Sequence, residues 1–218
     1  MPANPILNAL RDQYLNTQLA GDRRAALRFI DDALRSGVSV PDMQTHVVRA
    51  AQHEIGKLWQ EDRISVAQEH LATAISHLAL AHLFQHAEFR ARVGRKVVVA
   101  CVPGELHDLP ARLLSDALDV HGYDVRFLGA DVPLQDLLAV LAAEKPALLA
   151  LSVTMLFNLP SMREVLRQVR SALPGLPIAI GGHAATTPDA VPFDAPDVIT
   201  GSAEQLLNDI DRLLAARA

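Results

Sequence analysis

The chain has 218 residues, of which 50% are hydrophobic and 21% charged, with a formal net charge of -5. This is enough for two small soluble domains with sizeable cores, while the scattered lysines and arginines exclude an independent nucleic-acid surface. The single cysteine, Cys101, excludes a disulfide within the chain. One cysteine and no signal peptide predict a cytoplasmic protein, and no apolar run approaches the length of a membrane span.

The first half of the chain shows helical periodicity and no strand signals. The predicted helices are one through Ile6 and Tyr14, one at about 23–36, one from Ser39 to about Gln60 and one at about 66–91. Asp22 and Ser65 are suited to cap the second and the fourth of these helices. Four helices with short loops predict a four-helix bundle over residues 1–92.

From residue 95 the periodicity changes to short apolar strands that alternate with helices. The predicted strands are Val97–Val102, Asp124–Leu128, Leu148–Val153, Ile178–Ile180 and Val198–Ile199, with helices at about 109–121, 134–144, 160–172 and 203–216. Near-continuous apolar strands joined by helices predict a parallel sheet buried on both faces. We therefore expect an α/β fold, in which the bundle is followed at 95–218 by a flavodoxin-like (Rossmann-like), doubly wound, five-stranded parallel sheet.

Ligands of an open parallel sheet bind beyond the carboxyl ends of its strands. The residues at these ends are Glu105-Leu106-His107-Asp108 after the first strand, Ser152-Val153-Thr154 after the third, Gly181-Gly182 after the fourth and Gly201 after the fifth. No GxGxxG follows the first strand, and no GxxxxGK[ST] occurs in the chain, which disfavours a nicotinamide dehydrogenase.

His107 is the candidate metal ligand at this edge. A neutral imidazole binds cobalt, iron or zinc through one ring nitrogen, and a carboxylate that accepts a hydrogen bond from the other nitrogen fixes the tautomer. Either Glu105 or Asp108 could be that carboxylate. A polar surface histidine with no ligand is the alternative interpretation.

Together these residues resemble the cobalamin-binding domain family, whose pattern is Asp-x-His-x-x-Gly after strand one, Ser-x-Leu or Ser-x-Thr after strand three and Gly-Gly after strand four. The resemblance implies that His107 replaces the dimethylbenzimidazole base as the lower ligand of cobalt. It also implies that the remaining residues of this edge bind the cofactor: Glu105, Leu106, Asp108, Ser152, Thr154, Gly181, Gly182 and Gly201. Glu105 stands where the family has Asp, and Pro110 stands where it has Gly; Pro110 biases Leu109 toward an extended backbone.

The predicted bundle carries a second pattern. Trp59 is followed by Glu69-His70 with Trp-x(9)-Glu-His spacing, which is similar to the signature of CarH-type, adenosylcobalamin-dependent photoreceptors. The resemblance implies that these three residues cap the upper face of the corrin and contact the adenosyl group. The alternative is that Trp59 is a core anchor and Glu69-His70 a solvated pair on a helix.

The resemblance implies a cobalamin-dependent sensor rather than an enzyme, with adenosylcobalamin broken down by light as the signal. CarH-type regulators usually carry a MerR-type DNA-binding domain, whereas this chain begins with the bundle. We therefore expect no direct contact with nucleic acid or membrane, and signalling through a transcription-regulator partner or a homo-oligomer. Two alternatives are a corrinoid shuttle of a methyltransferase system, carrying methylcobalamin, and a flavodoxin-like module with another ligand or none.

Three further histidines have no role assigned by these patterns. His82 and His86 are four residues apart on one helix face, a spacing that can bind zinc, but no third ligand is evident in the sequence. We expect them on a helix surface or at a subunit contact. His183 follows Gly181-Gly182, where contact with the nucleotide tail of cobalamin and a plain loop role are equally supported.

Overall fold

The computed structural model describes residues 4–187 and 196–215. The chain divides into two compact units, Met1–Glu88 and Phe89–Ala218. The first unit is helical and the second contains the sheet. Among the described residues, no helix is long and apolar enough to cross a membrane.

The helical unit has the predicted four-helix arrangement. Its elements are α1 (Pro5–Leu19), α2 (Arg23–Arg35), α3 (Val40–Asp42), a π-helical stretch (Met43–Val48), α4 (Arg49–Gln60) and α5 (Val66–Gln85). The third predicted helix is therefore one continuous helical run with a π-helical stretch inside it, which the periodicity did not indicate. Both predicted caps are confirmed: Asp22 accepts from the Ala25 amide, and Ser65 forms a reciprocal capping box with Gln68.

The prediction that the fourth helix continues to about residue 91 is wrong, because α5 ends at Gln85. The following segment finds hydrogen-bond partners in the sheet unit instead of in a further helical turn. The Arg90 amide donates to the Val120 carbonyl at 2.8 Å, and the Val93 amide donates to the Gly122 carbonyl at 2.9 Å. A Cβ atom on Gly122 would lie 2.2 Å from the Ala91 carbonyl oxygen, so this close approach requires glycine.

The sheet unit alternates strands and helices as predicted. Its elements are β1 (Lys96–Cys101), α6 (Leu109–Val120), β2 (Asp124–Gly129), α7 (Leu134–Glu144), β3 (Leu148–Ser152), a 3₁₀ turn (Leu156–Asn158), α8 (Leu159–Ala172), β4 (Ile178–Gly181), α9 (His183–Thr186), β5 (Val198–Ile199) and α10 (Ala203–Ala215). The five strands are parallel, in the order β2-β1-β3-β4-β5. This is the flavodoxin-like order, so the predicted fold class is confirmed.

Alternate residues of β1 lie in two separate apolar cores. Val98 and Ala100 pack with side chains of α7 and α8, whereas Val97 and Val99 pack with side chains of α6 and α10. Burial on both faces explains why the strands read as continuous apolar runs in the sequence.

The strand register places three strand ends in one row. Cys101 of β1 pairs with Ser152 of β3, and Ser152 pairs with Gly181 of β4. The loops that follow these three strands therefore open on the same edge of the sheet.

Candidate functional site

The loop after β1 is anchored to the loop after β2. The Gly104 amide donates to Asp131 Oδ1 at 2.7 Å, and the Asp131 amide donates to the Glu105 carbonyl at 2.9 Å. Gly104 has a φ of +84°, and Asp131 has a φ of +47°, both in the left-handed region. These contacts fix the backbone on which the next three residues are presented.

Glu105 is a fully buried carboxylate that accepts five hydrogen bonds. Its Oε1 atom accepts from the His107 amide at 2.9 Å and is 2.6 Å from His107 Nδ1. Its Oε2 atom accepts from the Thr154 and Met155 amides, both at 2.9 Å, and from Asn158 Nδ2 at 3.0 Å. The side chain thus joins the loop after β1 to the loop after β3.

Burial of Glu105 by itself would raise the pKa of its carboxyl group. The hydrogen bonds from His107, Asn158 and the Met155 amide outweigh this effect and lower the pKa of Glu105 from 4.5 to about 2. Glu105 is therefore a carboxylate at neutral pH, able to accept a hydrogen bond from an imidazole N–H.

His107 presents its ring at this edge of the sheet, with 47% of its side chain exposed. The sequence left Glu105 and Asp108 as alternative partners, and the structure places Glu105 against Nδ1. Asp108 instead lies at the N-cap position of α6, where its carbonyl accepts from the Arg112 amide. With Nδ1 facing the carboxylate, Nε2 is the ring nitrogen that suits a metal ion.

The expectation that Pro110 holds Leu109 in an extended conformation is wrong. Helix α6 begins at Leu109, and Pro110 lies in its first turn. Proline is favoured there because the amide that it lacks would have no partner within the helix. Pro110 thus starts the helix directly behind His107.

Two buried hydroxyls lie at the end of β3. The Ser152 Oγ and Thr154 Oγ1 atoms are inaccessible to solvent and have no hydrogen-bond partner among the described residues. A buried hydroxyl without a partner costs stability, of the order of 1–3 kcal/mol. Hydroxyls left in this state at a strand edge are suited to a polar group of a bound ligand.

Ser152→Ala tests separately how the Ser152 hydroxyl affects protein stability and how it affects ligand binding. We expect the variant to match or exceed the wild type in unfolding free energy by about 1 kcal/mol without ligand, because an unsatisfied group is removed. If Ser152 donates to a ligand, cobalamin affinity should fall by roughly tenfold. Urea denaturation and titration calorimetry measure the two effects, and a variant with unchanged affinity would show that Ser152 does not contact the cofactor.

The glycine pair after β4 is explained by packing of the main chain. Gly182 has a φ of +94°, and a Cβ atom there would lie 2.2 Å from the Val153 carbonyl oxygen. A Cβ atom on Gly181 would lie 3.1 Å from the Thr200 carbonyl oxygen.

Gly201 is exposed, and its amide donates to Gln205 Oε1 at 2.9 Å. His183 begins the short helix α9 and is exposed, so the structure leaves its two interpretations open.

The residues of the Trp-x(9)-Glu-His pattern belong to the helical unit. Trp59 lies in the last turn of α4 and exposes 38% of its surface, which differs from the burial of a core anchor. Glu69 and His70 lie near the start of α5, with Glu69 Oε2 at 2.6 Å from His70 Nδ1. Glu69 Oε1 also accepts from Thr73 at 2.7 Å. Because a short loop joins α4 to α5, the three residues lie at the same end of this helix pair.

Sequence reasoning missed Asn158 and Asp131 as supporting residues of the site. Asn158 donates to Glu105 from the N-cap position of α8, and its Asn-Leu-Pro sequence parallels Asp108-Leu109-Pro110 at the start of α6. That repeated helix start was a signal in the sequence. The role of Asp131 depends on a positive φ in a loop, which no sequence pattern indicated.

The residues of this edge fit the cobalamin that the resemblance implies. A histidine whose Nδ1 atom is held by a buried carboxylate suits cobalt ligation through Nε2. Three large apolar side chains in the loops after β1 and β3 are exposed, Leu106 at 71%, Leu156 at 51% and Phe157 at 71%. Exposed apolar groups with buried, unpartnered hydroxyls are what a large ring with polar edges requires.

Comparisons with known proteins support the same fit. A B12 binding domain model matches residues 95–211, and a second B12 binding domain model matches residues 10–84. The chain is 31% identical over 195 residues to the HTH-type transcriptional repressor CarH of Myxococcus xanthus, covering 87% of this chain and 62% of that protein. It is 28% identical over 181 residues to the repressor CarA of the same organism, of which it covers 59%. The chain thus spans about 60% of the length of both repressors.

Two further comparisons cover most of the matched protein. The chain is 30% identical over 158 residues to a 20.5 kDa protein of Rhodobacter capsulatus, covering 70% of this chain and 81% of that protein. Its fold is similar to that of the Methanosarcina barkeri monomethylamine corrinoid protein, with a TM-score of 0.84 at 16% identity, over 94% of this chain and 99% of that one. The second likeness shows the fold alone.

Proposed function

Because the chain belongs to the B12-binding domain family, and is thus a cobalamin-binding module, we propose that it is an adenosylcobalamin-dependent light sensor. In this proposal His107 is the lower cobalt ligand, and Trp59, Glu69 and His70 bind the adenosyl group. Bound adenosylcobalamin would supply a light-sensitive cobalt–carbon bond. The signal passes to a transcription-regulator partner or through self-association.

The Glu105–His107 pair supports the lower-ligand role. The carboxylate holds the Nδ1 proton, orients the ring and increases its electron donation through Nε2. Because Glu105 has a pKa of about 2, it keeps this role at any physiological pH. The same residues fit a sensor and a methyl carrier equally, so they do not distinguish the two.

The observation that carries the sensor proposal is the exposed Trp59 at the same helix ends as the hydrogen-bonded Glu69–His70 pair. An indole ring offers a flat apolar surface, and a carboxylate with an imidazole offers hydrogen bonds to ribose and adenine. A methyl group on cobalt has no aromatic base to pack on the indole and no polar atoms to form these hydrogen bonds. The resemblance of this Trp-x(9)-Glu-His pattern to that of the CarH-type, adenosylcobalamin-dependent photoreceptors also favours the adenosyl form.

The test is to load the full chain with adenosylcobalamin in the dark and then illuminate it. We expect the absorption spectrum to change on illumination and the oligomeric state, measured by light scattering, to change with it. Cyanocobalamin-loaded protein is the control for heating and photodamage. Identical oligomeric size in light and dark, with or without a partner, would contradict light sensing through self-association.

Trp59→Ala tests the adenosyl contact. We expect it to lower the affinity for adenosylcobalamin by about tenfold, from the lost aromatic contact, and to leave the affinity for methylcobalamin nearly unchanged. Leu78→Ala is the matched control, because Leu78 is apolar and exposes 39% of its surface, against 38% for Trp59. Equal loss for both cobalamins in Trp59→Ala would argue against adenosyl recognition.

The second candidate function is a corrinoid shuttle of a methyltransferase system. It is favoured by the 32% identity over 88 residues to the methanol–corrinoid protein of Methanosarcina barkeri, which covers 40% of this chain. Transfer of a methyl group from the methylcobalamin-loaded chain to a thiol acceptor, in the presence of a methyltransferase, would support the shuttle over the sensor.

A further inference from the structure

A cluster of three potential metal ligands lies in the helical unit. Asp31 is on α2, and His82 and His86 are four residues apart on α5 and its C-terminal cap. The structure places one ligand atom from each within 4.8 Å of the other two. The sequence did not show this third potential ligand, because Asp31 lies 51 residues from His82 in the chain.

His82 contacts both of the other side chains in the cluster. His82 Nε2 is 2.6 Å from Asp31 Oδ1, and the His82 and His86 rings are 5.0 Å apart, with an angle of 70° between their planes. The hydrogen bond from His82 is the main cause of a lowered pKa of Asp31, so the aspartate is ionised at neutral pH. One carboxylate and two imidazoles thus have ligand atoms within 4.8 Å of one another.

This donor set selects for a particular class of metal ion. Imidazole and carboxylate together suit Zn²⁺ and its first-row neighbours, whereas Mg²⁺ and Ca²⁺ prefer oxygen ligands alone. Ligands at about 2.1 Å from zinc lie roughly 3.4 Å apart in a tetrahedron. Zinc binding must therefore lengthen the 2.6 Å separation of His82 Nε2 and Asp31 Oδ1 to roughly 3.4 Å. It must also bring the His86 ligand atom, which lies within 4.8 Å of the other two, to a similar spacing, and rotation of the exposed His86 ring can provide this.

The site is accessible from solvent. Asp31, Leu34, Arg35 and His86 line an open cavity of about 420 Å³. Arg35 is a positively charged residue of this cavity wall, and its guanidinium forms an ion pair with Asp32, which reduces its repulsion of a cation. Three protein ligands leave one coordination position for water or an outside group.

We propose that Asp31, His82 and His86 form a binding site for a divalent transition metal of the zinc class, which links α2 to α5. All three residues belong to the helical unit, whereas His107 belongs to the sheet unit. The metal site stands independently of the proposed light-sensing function.

The test measures Zn²⁺ binding to the full cobalamin-loaded chain after treatment with a chelator. Cobalamin loading keeps His107 from competing for zinc. We expect calorimetry to show one Zn²⁺ ion per chain and a melting temperature raised by roughly 5–10 °C at zinc concentrations about 100-fold above the dissociation constant. Absence of stoichiometric binding would overturn the proposal.

Two variants assign the binding to the cluster. His86→Ala removes an exposed ligand, and Asp31→Asn keeps a polar partner for His82 while removing the charge. We expect each to lower the zinc affinity by at least about tenfold. His46→Ala is the matched control, because His46 is an exposed helical histidine 4.0 Å from one carboxylate, Asp42. Equal zinc affinity in wild type and His86→Ala, or loss in His46→Ala alone, would overturn the assignment.

Discussion

His107→Ala is expected to lower cobalamin affinity by at least about tenfold and to remove the protein's nitrogen from cobalt. The ring is half exposed and oriented by Glu105, so its loss removes a ligand without disturbing a core. Cobinamide is the sharpest probe, because it lacks its own dimethylbenzimidazole base. Nitrogen hyperfine splitting in the electron paramagnetic resonance spectrum of bound, reduced cobinamide should be present in the wild type and absent in the variant.

The control for His107→Ala is His121→Ala in the same unit. His121 lies at the turn after α6, away from the strand ends, and its Nδ1 atom is 2.8 Å from the Ala117 carbonyl oxygen. This variant should keep both the affinity and the hyperfine splitting. Added imidazole should restore the splitting in His107→Ala by filling the vacated volume. Splitting that persists in His107→Ala without imidazole would show that another side chain ligates cobalt.

Glu105→Gln is expected to lower the unfolding free energy at pH 7 by about 3 kcal/mol, in addition to weakening cobalamin binding by about 10- to 100-fold. The pKa of Glu105 is lowered from 4.5 to about 2 in the fold. Its contribution to stability is therefore fully present above pH 4.5 and is lost as the pH falls toward 2. The glutamine amide does not titrate, and its NH₂ group cannot accept from the backbone amides that surround it.

The pH dependence distinguishes the loss of the ionised carboxylate from a pH-independent disturbance of packing by the glutamine side chain. The difference in unfolding free energy between wild type and Glu105→Gln should shrink as the pH is lowered from 5 toward 2, as measured by urea denaturation. Glu105→Asp, which keeps the charge on a shorter side chain, should recover part of the cobalamin affinity. A difference that is constant with pH would contradict a stabilising role for the ionised carboxylate.

A surface glutamate provides the matched control for Glu105→Gln. Hydrogen bonds from Arg167 and Gln168 lower the pKa of Glu164 to about 2, as in Glu105, but Glu164 is exposed to solvent. Solvent screens such an ion pair, so Glu164→Gln should have little effect on stability. The two variants together show whether burial, rather than the low pKa alone, makes Glu105 important.

The strand ends could be predicted from the sequence because both faces of the sheet are buried. Continuous apolar runs such as Val97–Val102 fix where β1 stops, and the loop after it then carries His107. The partner of the ring could not be predicted, since Glu105 and Asp108 both lie within two residues of His107 in the sequence. The choice is made by burial and by amides of the loop after β3, about 50 residues away in sequence. Asp31 could not be predicted as a partner of His82 for the same reason: helix packing, rather than spacing, brings them together.

The C-terminal end of α5 could not be predicted from the sequence for a different reason. Apolar residues such as Phe89 continue the helical spacing, but the backbone that follows pairs with the turn before β2. Local periodicity cannot indicate that these amides bond to Val120 and Gly122 instead of continuing the helix, because the two carbonyls are distant in sequence. The same holds for the positive φ of Asp131, which depends on the loop after β1.

The shared carboxylate of Glu105 gives the site a mechanical property. One oxygen holds the imidazole, and the other holds the amides of Thr154 and Met155, so the ring and the main chain after β3 are tied to one rigid group. A displacement of the His107 ring that moves the Glu105 carboxylate therefore also affects the hydrogen bonds of the Thr154 and Met155 amides. The amide protons of Thr154 and Met155 are therefore natural reporters of events at His107, readable by nuclear magnetic resonance without a label on the ligand.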